Sequence, residues 1–83
     1  MKTAEDIMRE RGLDTLVGAD LRKADLWGAD LEEAYFSGAD LEEANLREED
    51  LSGAYLNGTY LSGAYLNGAD LNDLKKRGAI LQE

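Results

Sequence analysis

The chain repeats itself every five residues. From Asp14 to the last residue it divides into fourteen units of five, without an insertion or a deletion. Leucine holds the third position in twelve of these units, and alanine holds the first position in ten. A period of five matches neither the helical period of 3.6 nor the strand period of two. The sequence therefore predicts a short bent unit that recurs along the chain.

Units such as ADLRK, ADLWG and ANLRE resemble the pentapeptide-repeat family, whose motif is written A(D/N)LXX. The resemblance extends over residues 14–83. It implies an all-β solenoid, a right-handed quadrilateral β-helix in which four units form one square coil. The central leucine and the first alanine of each unit would then point inward. Fourteen units, at four to a coil, make about 3.5 coils.

Residues twenty positions apart support a coil of that length independently. Four glycines fall in one column, where a recurring corner would need a positive φ or room for a neighbouring coil. They are Gly18, Gly38, Gly58 and Gly78. Large residues form four further columns that we expect to fill the interior. These columns are Leu16, Phe36 and Leu56; Leu21, Leu41, Leu61 and Leu81; Leu26, Leu46 and Leu66; and Leu31, Leu51 and Leu71.

The N-terminal segment has the signals of a short helix. Thr3 can act as the N-cap, with Asp6 three residues later, and Gly12 offers a stop. We expect residues 4–11 to form a helix that lays an apolar face over the first coil, since an uncovered end would expose the core. The chain then divides into a capping helix over residues 1–13 and a repeat domain over residues 14–83.

The last units are less regular. The unit at 74–78 keeps the count of five but places Lys76 where leucine belongs. Either the coil continues with Lys76 at its open end, or Asn72 or Asp73 caps a helical turn that ends at Gly78. Beyond this unit, Ile80 falls at an outward position. Ile80 and Leu81 are therefore a candidate dimer edge, with an ordinary terminal apolar segment as the alternative.

Glu49 occupies a position that the repeat reserves for a small inward residue. A buried carboxylate without a partner would destabilise the fold by several kcal/mol. We expect a local bulge that turns Glu49 outward or, failing that, a raised pKa of its carboxyl. A catalytic role is disfavoured, because the spacing supplies no acid, nucleophile or metal ligand beside it.

Composition removes several classes of function. The chain has no cysteine, histidine or proline, which excludes disulfides, thiolate or imidazole metal sites, and Ser-His or Cys-His catalysis. Its net charge of −9 disfavours direct binding of nucleic acid. It has neither an apolar stretch of membrane-spanning length nor the apolar core of a signal peptide. We expect a soluble, cytoplasmic, non-enzymatic protein without a cofactor, a metal or a membrane partner.

One side of the expected solenoid is acidic. The units at 29–33, 49–53 and 69–73 fall on one face, which carries seven acidic residues and no basic one. The candidate binding residues there are Asp30, Glu32, Glu33, Asp50, Asp70 and Asp73. Two interpretations compete: the aspartates accept hydrogen bonds from nearby backbone at the turns, or the face offers negative charge to a basic groove.

Aromatic residues fall at outward positions. The candidate contact residues are Trp27, Tyr35, Tyr55, Tyr60 and Tyr65. Tyrosine and tryptophan bring large contact areas to interfaces, but outward aromatic ladders also stabilise stacked strands by themselves. Both interpretations stay open.

The leading functional hypothesis is a protein-interaction module or scaffold whose partner is unidentified. The alternative follows from the resemblance: some pentapeptide-repeat proteins mimic DNA and bind type II topoisomerases such as DNA gyrase. Our chain is similar to them in charge, and would inhibit or protect a DNA-handling enzyme. A third hypothesis is an idealised repeat with no partner. The chain is expected to be a monomer or an end-to-end homodimer.

Overall fold

The computed structural model describes residues 2–66 and 71–81. Two helices and two strands follow one another in the order α1 (Ala4–Arg11), β1 (Asn45–Leu46), β2 (Tyr65–Leu66) and α2 (Leu71–Lys76). Strands β1 and β2 pair in parallel, with Asn45 opposite Tyr65 and Leu46 opposite Leu66. The molecule measures 31 × 22 × 22 Å.

Most of the sheet pairing involves single residues. Parallel pairs join residues twenty apart: Asp20 with Asp40, Asp25 with Asn45, Asp30 with Asp50, Tyr35 with Tyr55, Asp40 with Tyr60, and Tyr60 with Ile80. We call each level of this pairing a rung. The strands are this short because a turn follows in every unit and leaves one or two extended residues to pair. The twenty-residue spacing inferred from the sequence is thus the pairing register of the described chain.

Each turn uses the fifth position of a unit. The Ala19 N–H donates to the Leu16 carbonyl over 3.2 Å, and Gly18 between them has φ 68°. A type II turn requires a positive φ at its third residue, which explains the frequent glycine there. Among the turns within residues 2–66 and 71–81, four have a charged residue at this place instead, with φ between 59° and 62°: Lys23, Glu33, Glu43 and Glu48.

The core consists of the inward leucines, Phe36 and the first-position alanines. Phe36 and Leu21 are fully buried, and Leu41 is 1% exposed. In the column of Leu31, Leu51 and Leu71, the prediction that each leucine fills the interior is wrong for Leu71. Leu71 is 52% exposed because it begins α2 and does not continue the repeat.

Helix α1 occupies the residues for which the sequence predicts a helix. The Asp6 N–H donates to the Thr3 hydroxyl over 3.2 Å, and the Thr3 N–H donates to the Asp6 carboxylate over 3.0 Å. This reciprocal capping box satisfies two backbone donors at the helix start. Ile7 is buried in the core. The segment before the helix also pairs with the repeat, since the Asp30 N–H donates to the Lys2 carbonyl over 2.7 Å.

Helix α2 interrupts the repeat. Of the two expectations for this segment, continuation of the coil is wrong and the helical turn is correct, although Asn72 and Asp73 lie inside the helix and do not cap it. Leu74 is buried, whereas Lys76 is exposed. The register returns after the helix, where the Ile80 N–H donates to the Thr59 carbonyl over 2.7 Å.

Neither α1 nor α2, the helices found in residues 2–66 and 71–81, has the length and apolar character needed to cross a membrane.

Candidate interaction surface

The second position of the unit has a structural role. Asp30 Oδ1 accepts a hydrogen bond from the Glu32 N–H over 3.2 Å, and Asp50 Oδ1 accepts one from the Ser52 N–H over 2.9 Å. The same bond recurs at Asp20, Asp25, Asp40 and Asn45. An acceptor of this length at this place closes a local turn, which is why the motif asks for Asp or Asn. The structural interpretation of the acidic ladder is therefore supported for Asp30 and Asp50.

Three carboxylates of the predicted acidic face lie together. Asp30, Glu32 and Asp50 each offer an oxygen within 4.8 Å of the others. The charges of Asp50 and Asp30 raise the pKa of Glu32, whereas hydrogen bonds from Ser52 lower the pKa of Asp50. Glu32 and Asp50 are exposed, and a compact site for a hard cation needs more oxygen ligands than three. The cluster is a patch of repelling negative charge.

The remaining acidic candidates are placed differently. Glu33 is exposed at a turn position with φ 59°. Asp73 lies in α2 and pairs with Arg77, with Oδ2 3.3 Å from a guanidinium nitrogen. Asp70 lies outside the described residues. The structure thus gathers three of the six predicted residues.

Glu49 lines an open groove of about 400 Å³ together with Asp50, Leu51, Ser52, Asp73, Leu74 and Arg77. The pairs Asp25–Asn45 and Asp30–Asp50 on either side of Glu49 keep the twenty-residue spacing, so no residue is inserted. The predicted bulge is therefore wrong. Glu49 stays half-buried, and burial raises the pKa of its carboxyl, in the direction of our second expectation.

Arg77 is a residue that the sequence reasoning missed. One of its guanidinium nitrogens donates to the Leu51 carbonyl over 2.6 Å and to the Ala54 carbonyl over 2.8 Å. The equivalent carbonyl twenty residues earlier, that of Ala34, accepts a hydrogen bond from the Tyr55 N–H over 2.8 Å. Because α2 replaces the next rung, Arg77 takes over as donor. The only sequence signal for this role is Lys76, which stands in place of the third-position leucine in the same unit.

Thr59 is the second missed residue. It stands at a first position that usually holds alanine, and it is fully buried. Its hydroxyl donates to the Phe36 carbonyl over 2.6 Å, so a polar group enters the core with its hydrogen bond satisfied. Both missed residues make hydrogen bonds that stabilise the fold.

The predicted aromatic residues are all exposed. Trp27, Tyr35, Tyr55, Tyr60 and Tyr65 have between 45% and 61% of their area accessible. The rings of Tyr35 and Tyr55 stack at 4.8 Å with 5° between their planes. The Tyr65 ring lies beneath the Arg47 guanidinium, with the ring centroid 4.8 Å from Cζ. The stacked pair supports the stabilising interpretation, while the exposure leaves large apolar area for contacts.

The predicted dimer edge divides between two environments. Ile80 is 36% exposed and pairs with Tyr60 along the backbone. Leu81 is partly buried against the core. The structure places Ile80 more openly than Leu81, and the dimer edge stays a prediction.

These observations define a class: a repeat protein whose five-residue units stack through parallel backbone pairing twenty residues apart. The sequence profile described as pentapeptide repeats matches the chain in eight copies, over residues 16–48, 34–73 and 44–82. The chain belongs to the pentapeptide-repeat family, and the resemblance seen in the sequence is confirmed. Membership implies a right-handed β-helix solenoid. Neither the curated proteins nor the solved structures contain a match to this chain.

Proposed function

We propose that this protein is a non-enzymatic scaffold that binds another protein through the outward side chains of its repeat. The observation that carries the proposal is the exposure of five large aromatic side chains on a backbone held by rung-to-rung hydrogen bonds. Aromatic residues on a rigid support make strong contacts because little side-chain freedom is lost on binding. A surface of this kind needs no cofactor.

The proposal includes a complete architecture. The repeat of residues 14–83 forms a right-handed quadrilateral β-helix of about 3.5 coils, which α2 interrupts at Leu71–Lys76, and residues 1–13 cap its first coil through α1. Burial of Ile7 and the pairing of Thr3 with Asp30 support the capping role. A rigid rod with a covered first end suits a scaffold, because it presents side chains in fixed columns.

The test compares two surface variants with the wild type. One variant replaces all five exposed aromatic residues by serine, namely Trp27, Tyr35, Tyr55, Tyr60 and Tyr65. The matched control replaces the exposed polar residue Asn57 and the half-exposed Ser37 by alanine. Each protein is immobilised and exposed to lysate, and the retained proteins are identified at about 0.15 M and 0.5 M salt. We expect a specific protein that the wild type and the control retain and the serine variant loses. Retention of the same proteins by all three would contradict the proposal.

A second candidate function is mimicry of DNA. The crowded carboxylates of Asp30, Glu32 and Asp50 favour it, since they offer negative charge to a basic groove. At roughly 4.8 Å for each of about 3.5 coils, the repeat is about 17 Å long and corresponds to only about five steps at 3.4 Å each. Supercoiling by DNA gyrase should then fall as the protein is added, more so at low salt. Unchanged supercoiling at large excess would dismiss the mimic.

The oligomeric state separates the two candidates further. An end-to-end homodimer would double the length of a mimic, whereas a scaffold can act as a monomer. Light scattering at several concentrations distinguishes these states, and a strict monomer weakens the mimic.

A further inference from the structure

One turn of the repeat carries asparagine followed directly by glycine. Asparagine is a chemically labile residue, and a following glycine leaves the next backbone nitrogen unhindered because it has no side chain. Within residues 2–66 and 71–81 this pair occurs once, at Asn57 and Gly58. Asn57 is exposed and Gly58 is half-buried. The pair forms the centre of the turn, since the Thr59 N–H donates to the Leu56 carbonyl over 3.0 Å.

The chemistry open to this pair is hydrolysis of the side-chain amide, with water as the co-reactant. The backbone nitrogen of Gly58 attacks Cγ of Asn57, and its proton leaves with the side-chain nitrogen as ammonia. The product of this step is a cyclic succinimide. Water then opens the ring at either carbonyl and leaves an ordinary aspartate or an isoaspartate, whose backbone runs through the side-chain carbon. Nothing is oxidised or reduced.

Hydrogen bonds on both sides hold the attacking nitrogen and its peptide group. The Gly58 N–H donates to the Gly78 carbonyl over 2.8 Å, and the Asn57 carbonyl accepts from the Gly38 N–H over 3.0 Å. A nitrogen that donates to a carbonyl keeps its proton and stays turned away from Cγ. The attack therefore requires that the bond to Gly78 opens first.

Asn57 also packs closely against the same glycine. A Cβ built on Gly78 would lie 2.7 Å from Oδ1 of Asn57 and 2.9 Å from its Cα. Gly78 has φ 92°, which a residue with a side chain adopts only under strain. Gly78 thus accepts the hydrogen bond that restrains the nitrogen and leaves the space that Asn57 occupies.

We propose that Asn57 is a modification site, at which hydrolysis of the side-chain amide is controlled by the opening of one rung. We call it the Gly78 rung; it consists of Gly78, Ile80 and the bonds that join them to the rung before. Helix α2 replaces the start of this level of the repeat, so the Gly78 rung is short. A short segment opens locally without unfolding of the whole molecule. This inference is independent of the proposed function.

The products keep the Gly78 rung open. Either product adds a negative charge beside Gly78, in a chain that already carries −9. An isoaspartate also lengthens the backbone between Leu56 and Thr59, and an extra atom in one strand disrupts the ladder as an inserted residue does at a bulge. The reaction therefore makes a transient opening of this rung permanent.

The test is incubation of the full chain at mildly alkaline pH in water enriched in heavy oxygen, followed by proteolysis and tandem mass spectrometry. Heavy oxygen enters only when the ring opens during the incubation, and fragment masses separate Asn57 from Asn67, which glycine also follows. A peptide of residues 54–61 gives the rate without the rung. We expect Asn57 in the wild type to react at least about tenfold more slowly than in the peptide.

Variants assign the control to the Gly78 rung. Gly78→Ala places a Cβ against Asn57, and Ile80→Pro removes an N–H that donates to the rung before. Each should accelerate the reaction of Asn57 by at least about fivefold. Gly28→Ala is the matched control, because it introduces alanine at φ 69° in a turn where nothing lies within 4 Å of the new Cβ. It should change the rate by less than about twofold.

Hydrogen exchange supplies a measurement that needs no variant. As urea rises below the unfolding transition, exchange of the Gly58 N–H and hydrolysis of Asn57 should accelerate by the same factor. Three results would overturn the inference. They are equal rates in the wild type and the peptide, equal acceleration by Gly78→Ala and Gly28→Ala, or hydrolysis that does not follow exchange of the Gly58 N–H.

Discussion

Replacing Arg77 by methionine should lower the free energy of unfolding by about 2 kcal/mol. The guanidinium donates to two backbone carbonyls at the end of the ladder, over 2.6 and 2.8 Å, and 25% of the side chain is exposed. Hydrogen bonds from a charged donor contribute about 1.5–3 kcal/mol when they are partly shielded from water. We use the lower part of that range because solvent reaches the site. Methionine keeps the apolar stem, so the change isolates the lost donors.

The assay is unfolding in urea and by heat, followed by circular dichroism. For a chain of this size, about 2 kcal/mol corresponds to a fall of roughly 8–16 °C in the melting temperature. Lys76→Met is the matched control, since it removes the same charge from an exposed neighbour. It should change the free energy of unfolding by less than about 0.5 kcal/mol. Arg77→Lys should fall between the two, because an ammonium cannot reproduce the fork of donors.

Equal destabilisation by Arg77→Met and Lys76→Met would refute the reasoning. It would mean that water serves the Leu51 and Ala54 carbonyls as well as the guanidinium does, and that net charge sets the effect. A larger loss in Arg77→Met, restored in part by lysine, would support the role of Arg77 at the end of the ladder.

Further predictions concern the core, the turns and one carboxyl. Phe36→Ala should destabilise by about 3–5 kcal/mol in urea unfolding, whereas Asn57→Ala should be nearly silent because Asn57 is exposed. Gly28→Ala should lower the free energy of unfolding by about 1 kcal/mol, because alanine is strained at a positive φ. Gly53→Ala should lower it more, because at the same φ of 69° its new Cβ would lie 3.1 Å from the Cγ of Glu33 one rung below. Equal losses in the two variants would show that this contact has no effect. Glu49→Gln should stabilise at neutral pH, because burial raises the pKa of the folded-state carboxyl above its ordinary 4.5 and disfavours the ionised form. That gain should shrink as the pH falls through the folded pKa and vanish below the ordinary one, and a gain independent of pH would contradict it.

Period and turn chemistry were readable from the sequence because each depends on neighbours within five residues. The fifth-position glycines predicted a corner, and Gly18 indeed has the positive φ of a type II turn. Thr3 and Asp6 predicted a capping box that forms with both bonds. The spacing of twenty did not follow from these local rules, because identical corners do not fix how many make one coil; it came from the family resemblance and from columns such as Gly18, Gly38 and Gly58.

The end of the repeat could not be read in this way. Leu71 has a leucine in the correct position, yet it is exposed while Leu74, at a position for alanine, is buried. Which of the two leucines enters the core depends on how α2 packs against the last rung of the repeat. This packing is a tertiary effect, and it overrides the local five-residue pattern. The role of Arg77 depends on the same passage, because its acceptors lie 23 and 26 residues away.

The outward positions are not equally free to carry a function. The second position normally holds an acceptor for the backbone N–H two residues later, and a tyrosine there has no acceptor close enough to its own backbone. Each tyrosine therefore gives up a local bond that Asp or Asn would make. Tyr35 and Tyr55 regain contact by stacking on each other, and Tyr65 by its contact with Arg47. Trp27 stands at a fourth position, which neither the turn nor the core constrains, and it keeps 60% of its area exposed. A large apolar residue at a position where the fold does not require one supports the proposal that this surface binds another protein.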